Sequence, residues 1–185
     1  SSGLFVMNGS LRSNHGNAYF TGFGKSKRIV FFDTLLEKLT PNEIEAVLAH
    51  ELGHFHHEHV KKRIALMFLI SFIGLYILGG LKESIWFYEG LGVYQLNDAN
   101  AILLFLLVSP LFVFFIRPVI AYYSRKNEFE ADEYACKFSK PEDLKQSLIK
   151  LYRDNASTLT PDPLHSNFYD SHPPALMRIN AIKKP

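Results

Sequence analysis

The chain has 185 residues, 48% of them hydrophobic and 14% aromatic, and a formal net charge of +2. That length sets one domain with a real core rather than two independent ones. A charge so near balance points to no nucleic acid and no acidic partner, and the single cysteine, Cys136, excludes an internal disulfide and fits the reducing side of a membrane.

The opening Ser1-Ser2-Gly3 carries no initiator Met, basic n-region or apolar h-region, so the chain reads as a piece of a longer protein. Residues 4–7 are apolar and closed by Asn8-Gly9-Ser10. Residues 17–20 lead into Thr21-Gly22-Phe23-Gly24, and 29–32 are a β-branched and aromatic run. The pattern predicts short strands in a small antiparallel sheet. Thr40-Pro41-Asn42-Glu43 then places Thr at a helix N-cap, Pro at the first helical position and Glu three residues after the cap, a capping box. Ile44, Val47, Leu48, Leu52 and Phe55 follow at spacings of three and four. They predict one buried stripe on a helix that runs through HELGH and enters the first apolar stretch.

Residues 64–81 and 99–116 are two 18-residue stretches without a charge. At about 1.5 Å per residue each covers roughly 27 Å, close to the hydrocarbon thickness of a bilayer. Core helices of a globular protein carry polar residues on an outer face, and these have almost none. The expectation is a transmembrane helical hairpin with a loop over 82–98. Lys61, Lys62 and Arg63 precede the first span, and Arg117, Arg125 and Lys126 follow the second. The loop sets one Lys against Glu83, Glu89 and Asp98 and carries Trp86, Phe87, Tyr88 and Tyr94. The positive-inside rule places both chain ends in the cytoplasm, with Arg117 snorkelling. Beyond the spans, a helix is expected over 124–139 and a second cap signal at Ser139-Lys140-Pro141-Glu142. An amphipathic segment over 143–152, a loop over 155–174 and a short helix over 175–183 follow.

The chemistry sits on the capped helix. His50 and His54, four apart, face the same way and can hold one Zn²⁺, with Glu51 as general base beside an activated water. Gly53 is expected to leave space next to the metal. The bland alternative is a His-rich solvated face, since His56, His57 and His59 follow. A tetrahedral site needs a third protein ligand. The longer metzincin pattern fails, because its Gly position holds His57 and its third His position holds Val60. Asn127-Glu128-Phe129-Glu130-Ala131-Asp132 places Glu128 and Asp132 on one helix face. Glu128 is the expected third ligand, with Asp132 accepting from the far nitrogen of a ligating His.

HELGHFHHEH, two spans and then SRKNEFEADEYA resemble the integral-membrane zinc peptidases that include CAAX prenyl protease 1 and the bacterial heat-shock membrane proteases. The segments SNHGNAYFTGFGKSKRIVFFDTLL and FYDSHPPALMRINAI are similar to the CAAX prenyl protease 1 branch. The resemblance implies the same zinc set and base, His172 as an oxyanion-stabilising histidine and Arg178 as an arginine near the site. It also implies that Asn17 and Ala18 belong to an edge strand along which a substrate main chain lies. It further implies membrane spans upstream in the parent protein. The shortness of residues 33–41 suggests a bacterial inner-membrane member that cleaves membrane proteins or small hydrophobic peptides.

The expectation is a mainly α protein with a small antiparallel β-sheet (α+β). A zincin-like metallopeptidase domain, built from 1–63 and 118–185, is interrupted by the membrane hairpin of 64–117. One Zn²⁺ per chain, a peptide substrate, the lipid bilayer and a site on the cytoplasmic side complete it. Two rivals remain: a metal-binding or transport protein using His50 to His59, and an inactive membrane scaffold.

Overall fold

A computed structural model describes residues 3–12, 16–21, 28–154 and 161–182. The expected turn at Gly22–Gly24, the start of the loop over 155–160 and Lys183 lie outside them. Three strands form one sheet: β1 (Gly3–Met7), β2 (Ala18–Thr21) and β3 (Arg28–Phe32), in the order β1-β3-β2. β2 runs antiparallel to β3, but β1 runs parallel to it, from Gly3 opposite Arg28 to Met7 opposite Phe32. The sheet is therefore mixed, not antiparallel as its sequence suggested. Asp33, directly after β3, ties the ends of these two strands together. Its carboxylate accepts from the Gly9 and Ser10 amides at 2.9 and 3.0 Å and from the Ser10 hydroxyl at 2.6 Å. The ends of β1 and β3 are thus fastened at one place, and the strands run the same way. Asp33 also opens a short helix, α1 (Asp33–Lys38), that strand patterning did not reveal.

α2 (Pro41–His56) begins on the expected capping box. Glu43 accepts the Thr40 amide at 2.7 Å, while the Glu43 amide donates to the Thr40 hydroxyl at 3.4 Å. Its buried face differs from the expected stripe. Ala46, Val47, Ala49, His50 and Gly53 are buried, whereas Leu52 and Phe55 are each 37% exposed. The partner helix presents Ala131 and Ala135, both fully buried. Small residues on both sides let the backbones approach, and the larger side chains are left outside the seam. α2 ends at His57. Glu58 follows with φ of 56°, left-handed backbone that L residues seldom adopt, so α2 does not run on into the next helix.

α3 (His59–Leu81), α4 (Ile85–Glu89) and α5 (Asp98–Phe138) come next. α5 is one 41-residue helix through Pro110 and Pro118, where a span and a separate helix were expected. α6 (Pro141–Asp154) is amphipathic as anticipated. The Ser139 hydroxyl, however, donates to the Ala135 carbonyl at 2.9 Å and so closes α5 rather than capping α6. Within the expected loop lies α7 (Pro163–Tyr169), capped by Asp162, whose side chain accepts the His165 amide at 2.8 Å. α8 (Ala175–Ala181) ends the described chain.

The chain divides into two units: Ser1–Glu58 with Ala121–Pro185, and His59–Ile120. The first holds two hydrophobic clusters. Ala46, Ala49, Ala135, Leu144, Leu148 and Ile182 form one; Ile29, Phe31, Leu35, Leu39 and Val47 form the other, beneath the sheet. In the second unit, Phe87, Tyr88, Ala101 and Leu104 pack around the α4 turn, and the Tyr88 hydroxyl donates to the Lys82 carbonyl at 2.7 Å. Both α3 and α5 are long and apolar enough to cross a membrane. Only 0% and 11% of their apolar windows are buried among the described residues.

Candidate active site

The site lies wholly within the first unit, where α2 packs on the C-terminal part of α5. Helical periodicity puts His50 and His54 on one face of α2, and Glu128 and Asp132 on one face of α5. A β-carbon at Gly53 would lie 3.0 Å from both the Cα and the carbonyl oxygen of Ala131. The glycine expected to leave room beside a metal instead lets the two helices touch. That approach brings the four polar side chains together.

His50 Nε2 and His54 Nε2 are 3.1 Å apart, and Glu128 reaches them with Oε2 at 3.6 Å and Oε1 at 3.4 Å. A tetrahedral ion with bonds of about 2.0–2.1 Å separates its ligand atoms by about 3.3–3.4 Å. Two imidazoles and one carboxylate at this spacing fit a divalent ion with one place left open. The other ring nitrogen of His50, Nδ1, lies 2.9 Å from Asp132 Oδ1. Nδ1 therefore carries the hydrogen, and its 3.4 Å approach to Arg178 Nη2, donor to donor, is not a hydrogen bond. This tautomer leaves Nε2 as the ligating atom.

Arg178, on α8, is buried between the two carboxylates. It holds Asp132 through a fork, Nε to Oδ2 at 2.8 Å and Nη2 to Oδ1 at 2.7 Å, and places Nη1 3.2 Å from Glu128 Oε2. Burial pushes the Asp132 carboxyl up, but the Arg178 and His50 hydrogen bonds outweigh it and hold it below its ordinary value. Glu128 behaves alike, its burial overridden by His50 and His54. For His50, burial works to lower the pKa, yet Asp132 and Glu128 raise it to about 9. Negative charge gathered around Nε2 stabilises a proton there, and would stabilise a cation in its place. Burial raises the Glu51 carboxyl against the pull of His50 and His54.

His172 Nε2 lies 3.4 Å from Glu128 Oε1, while its side chain is 64% exposed. Asn17 immediately precedes β2, an edge strand that packs beside α2, and its carbonyl accepts the Phe32 amide at 2.9 Å. Ala18 packs partly into the cluster under the sheet. His56 and His57 set their rings 4.9 and 6.2 Å from that of Tyr134. Sequence reasoning missed Tyr152, whose hydroxyl donates to the Pro173 carbonyl at 3.0 Å, and it read Arg125 only as a flanking charge. Neither carries a local signal, since each acts on residues far along the chain.

The whole chain, residues 1–185, matches peptidase family M48. The chain belongs to this family. Among its M48 relatives is a CAAX prenyl protease 1 homolog of Arabidopsis thaliana, 37% identical over 186 residues, covering 97% of this chain and 42% of that protein. The CAAX prenyl protease 1 of Saccharomyces cerevisiae is 34% identical and covers 97% of this chain and 43% of its own. The crystal structure of S. mikatae Ste24p superposes with a TM-score of 0.84 at 35% identity, over 97% of this chain and 44% of that one. This M48 chain thus spans a little under half the length of the relatives it matches. The plant relative aligns in 186 columns, so a long insertion is not general among eukaryotic members, and the brevity of residues 33–41 does not discriminate a bacterial source.

Proposed function

We propose that this chain carries the catalytic centre of a membrane-embedded zinc metalloendopeptidase acting on membrane-associated or small hydrophobic peptides. The observation that supports it most is the triangle of His50, His54 and Glu128 donor atoms at tetrahedral spacing, with His50 oriented by Asp132. A soft-to-borderline imidazole pair with one carboxylate suits zinc, one per chain. Zinc held there would bring the pKa of a water to about 7 and polarise the scissile carbonyl.

The remaining steps belong to the protein. Glu51, adjacent to His50 on α2, takes the proton of the attacking water and returns it to the departing amine. Its raised pKa favours a group that can hold that proton. His172 Nε2 donates to the carbonyl oxygen as negative charge develops on it. Asp132 keeps the hydrogen of His50 on Nδ1, and Arg178 keeps Asp132 and Glu128 ionised and in place. β2, the edge strand beside α2 among the described residues, is the proposed ledge for an extended substrate backbone, with Ala18 turning its backbone groups outward while Asn17, bonded to Phe32, fixes the start of the strand. Helix-borne histidines, a carboxylate from a second helix and an edge strand together make a zincin-like arrangement.

The uncharged stretches of α3 and α5, residues 64–81 and 99–116, exposed along their apolar windows, are the proposed membrane hairpin. The basic flanks Lys61, Lys62, Arg63, Arg117, Arg125 and Lys126 support a cytoplasmic active site.

The test uses the full-length parent. Glu51→Gln is expected to keep one zinc per chain and lose cleavage of a peptide substrate, while Glu128→Ala loses most of the zinc. Unimpaired cleavage by Glu51→Gln rejects the mechanism. Normal zinc content in Glu128→Ala rejects the third ligand. More than one tightly bound zinc per wild-type chain favours the metal-binding rival.

A further inference from the structure

We propose that Arg125 is a positioning residue for His172, acting with Tyr152 as a two-point clamp on the backbone that carries this histidine. The inference rests on the reading above, in which His172 stabilises the developing oxyanion.

An imidazole with 64% of its side chain exposed is not held by packing, so its place depends on its backbone. Its polar neighbours are few: Ser171 Oγ at 3.0 Å from Nδ1, and Glu128 Oε1 at 3.4 Å from Nε2. The backbone on either side is fastened. Upstream, Arg125 Nη1 donates to the carbonyls of Ser166, Asn167 and Asp170 at 3.2, 3.1 and 3.0 Å. These oxygens lie in the last turn of α7 and at its C-cap, at the negative end of the helix dipole, and the Ser166 carbonyl also accepts the Asp170 amide at 3.1 Å. A guanidinium there satisfies them and complements that charge. Downstream, Pro173 is buried and its carbonyl accepts from Tyr152. Consecutive prolines at 173 and 174 restrict the backbone further.

The clamp has a built-in reference. Arg125 lies three residues before Glu128, on the same helix face and the same rigid element, α5. The helix that supplies the proposed metal-binding carboxylate therefore also fixes the anchor point of the segment bearing His172. Arg125 touches no reacting atom in this arrangement. It sets the distance between His172 and Glu128.

The experiment is a double-mutant cycle in the zinc-loaded full-length enzyme, reading kcat, KM and zinc content for peptide cleavage. Arg125→Gln is expected to lower kcat about 10- to 100-fold through misplacement of His172, with KM changed less than about 3-fold and zinc content unaltered. Arg125→Lys, which keeps charge but not the planar donor fork, recovers part of that loss. In a His172→Ala background, Arg125→Gln is expected to cost less than about 2-fold more, because the group it positions is already gone. Tyr152→Phe with zinc intact is expected to show the same non-additivity at smaller amplitude, and serves where Arg125 variants do not accumulate. Multiplicative losses in the double variant, or wild-type kcat in Arg125→Gln, overturn the clamp while leaving the zinc mechanism untouched. Full activity in His172→Ala removes the role of His172 itself, and the clamp with it, while the separate Glu51→Gln result still decides the mechanism.

Discussion

Gly53 on α2 faces Ala131 on α5 so closely that a β-carbon at position 53 would stand 3.0 Å from backbone atoms of the opposing helix. The neighbour is a helix backbone, which cannot turn aside as a flexible side chain would. Gly53→Ala gains up to about 1 kcal/mol of helix propensity but overpacks the seam at a cost of about 1–3 kcal/mol. The expected net result is a lower melting temperature together with weaker zinc binding, because the same seam brings Glu128 to the histidines. Thermal unfolding and zinc titration of the variant check both. Unchanged zinc affinity would separate the seam from the site.

Asp132 joins His50 to Arg178, and its removal should be felt at the metal. In Asp132→Asn the His50 Nδ1–H loses a charged acceptor and the Arg178 fork loses its counter-charge. Zinc affinity is expected to fall about 10- to 100-fold, measured by competition with a chromophoric chelator.

The pH dependence has two limbs of opposite sign. His50 is raised from 6.5 to about 9, so after chelator treatment its protonated form contributes stability in full below pH 6.5 and loses it as pH rises through 9. Glu128 and Asp132 are lowered from 4.5 and 3.8, so their contribution is present above those values and is lost as pH falls through the depressed ones. Stability of the stripped protein is expected to peak between the two limbs. Zinc must displace the His50 proton, so its affinity is expected to climb with pH until about 9 and then level. Thermal unfolding and zinc competition across this range measure each limb.

At the start of α2, Thr40→Ala removes the side-chain half of the capping box. The expected cost is about 1 kcal/mol of stability, with zinc content unchanged, since the cap lies more than two turns from His50. Glu43 also meets Lys150 Nζ at 2.7 Å, tying α2 to α6. Glu43→Gln is expected to lower the melting temperature further than Thr40→Ala does.

Local chemistry was legible. The Thr40–Glu43 box, the four-residue spacing of His50 with His54 and of Glu128 with Asp132, and two uncharged 18-residue runs all depend on neighbours within a few turns. The Asp162-Pro163 cap of α7 was equally local and was overlooked inside a polar stretch. Strand direction was not legible, because it rests on pairing between distant segments, such as the Asp33 bonds to residues 23 and 24 positions away.

By itself, the order of residues determined where α2 begins and which side chains of α2 and α5 share a face, since helix geometry repeats every few residues, but not α1, α7 or the unbroken run of α5. Tertiary structure decided the rest. The Gly53–Ala131 seam, the His50–Asp132–Arg178 chain and the approach of His172 to Glu128 join residues separated by many tens of positions. Such encounters follow from how whole elements pack, a matter of shape and burial that no short-range periodicity records.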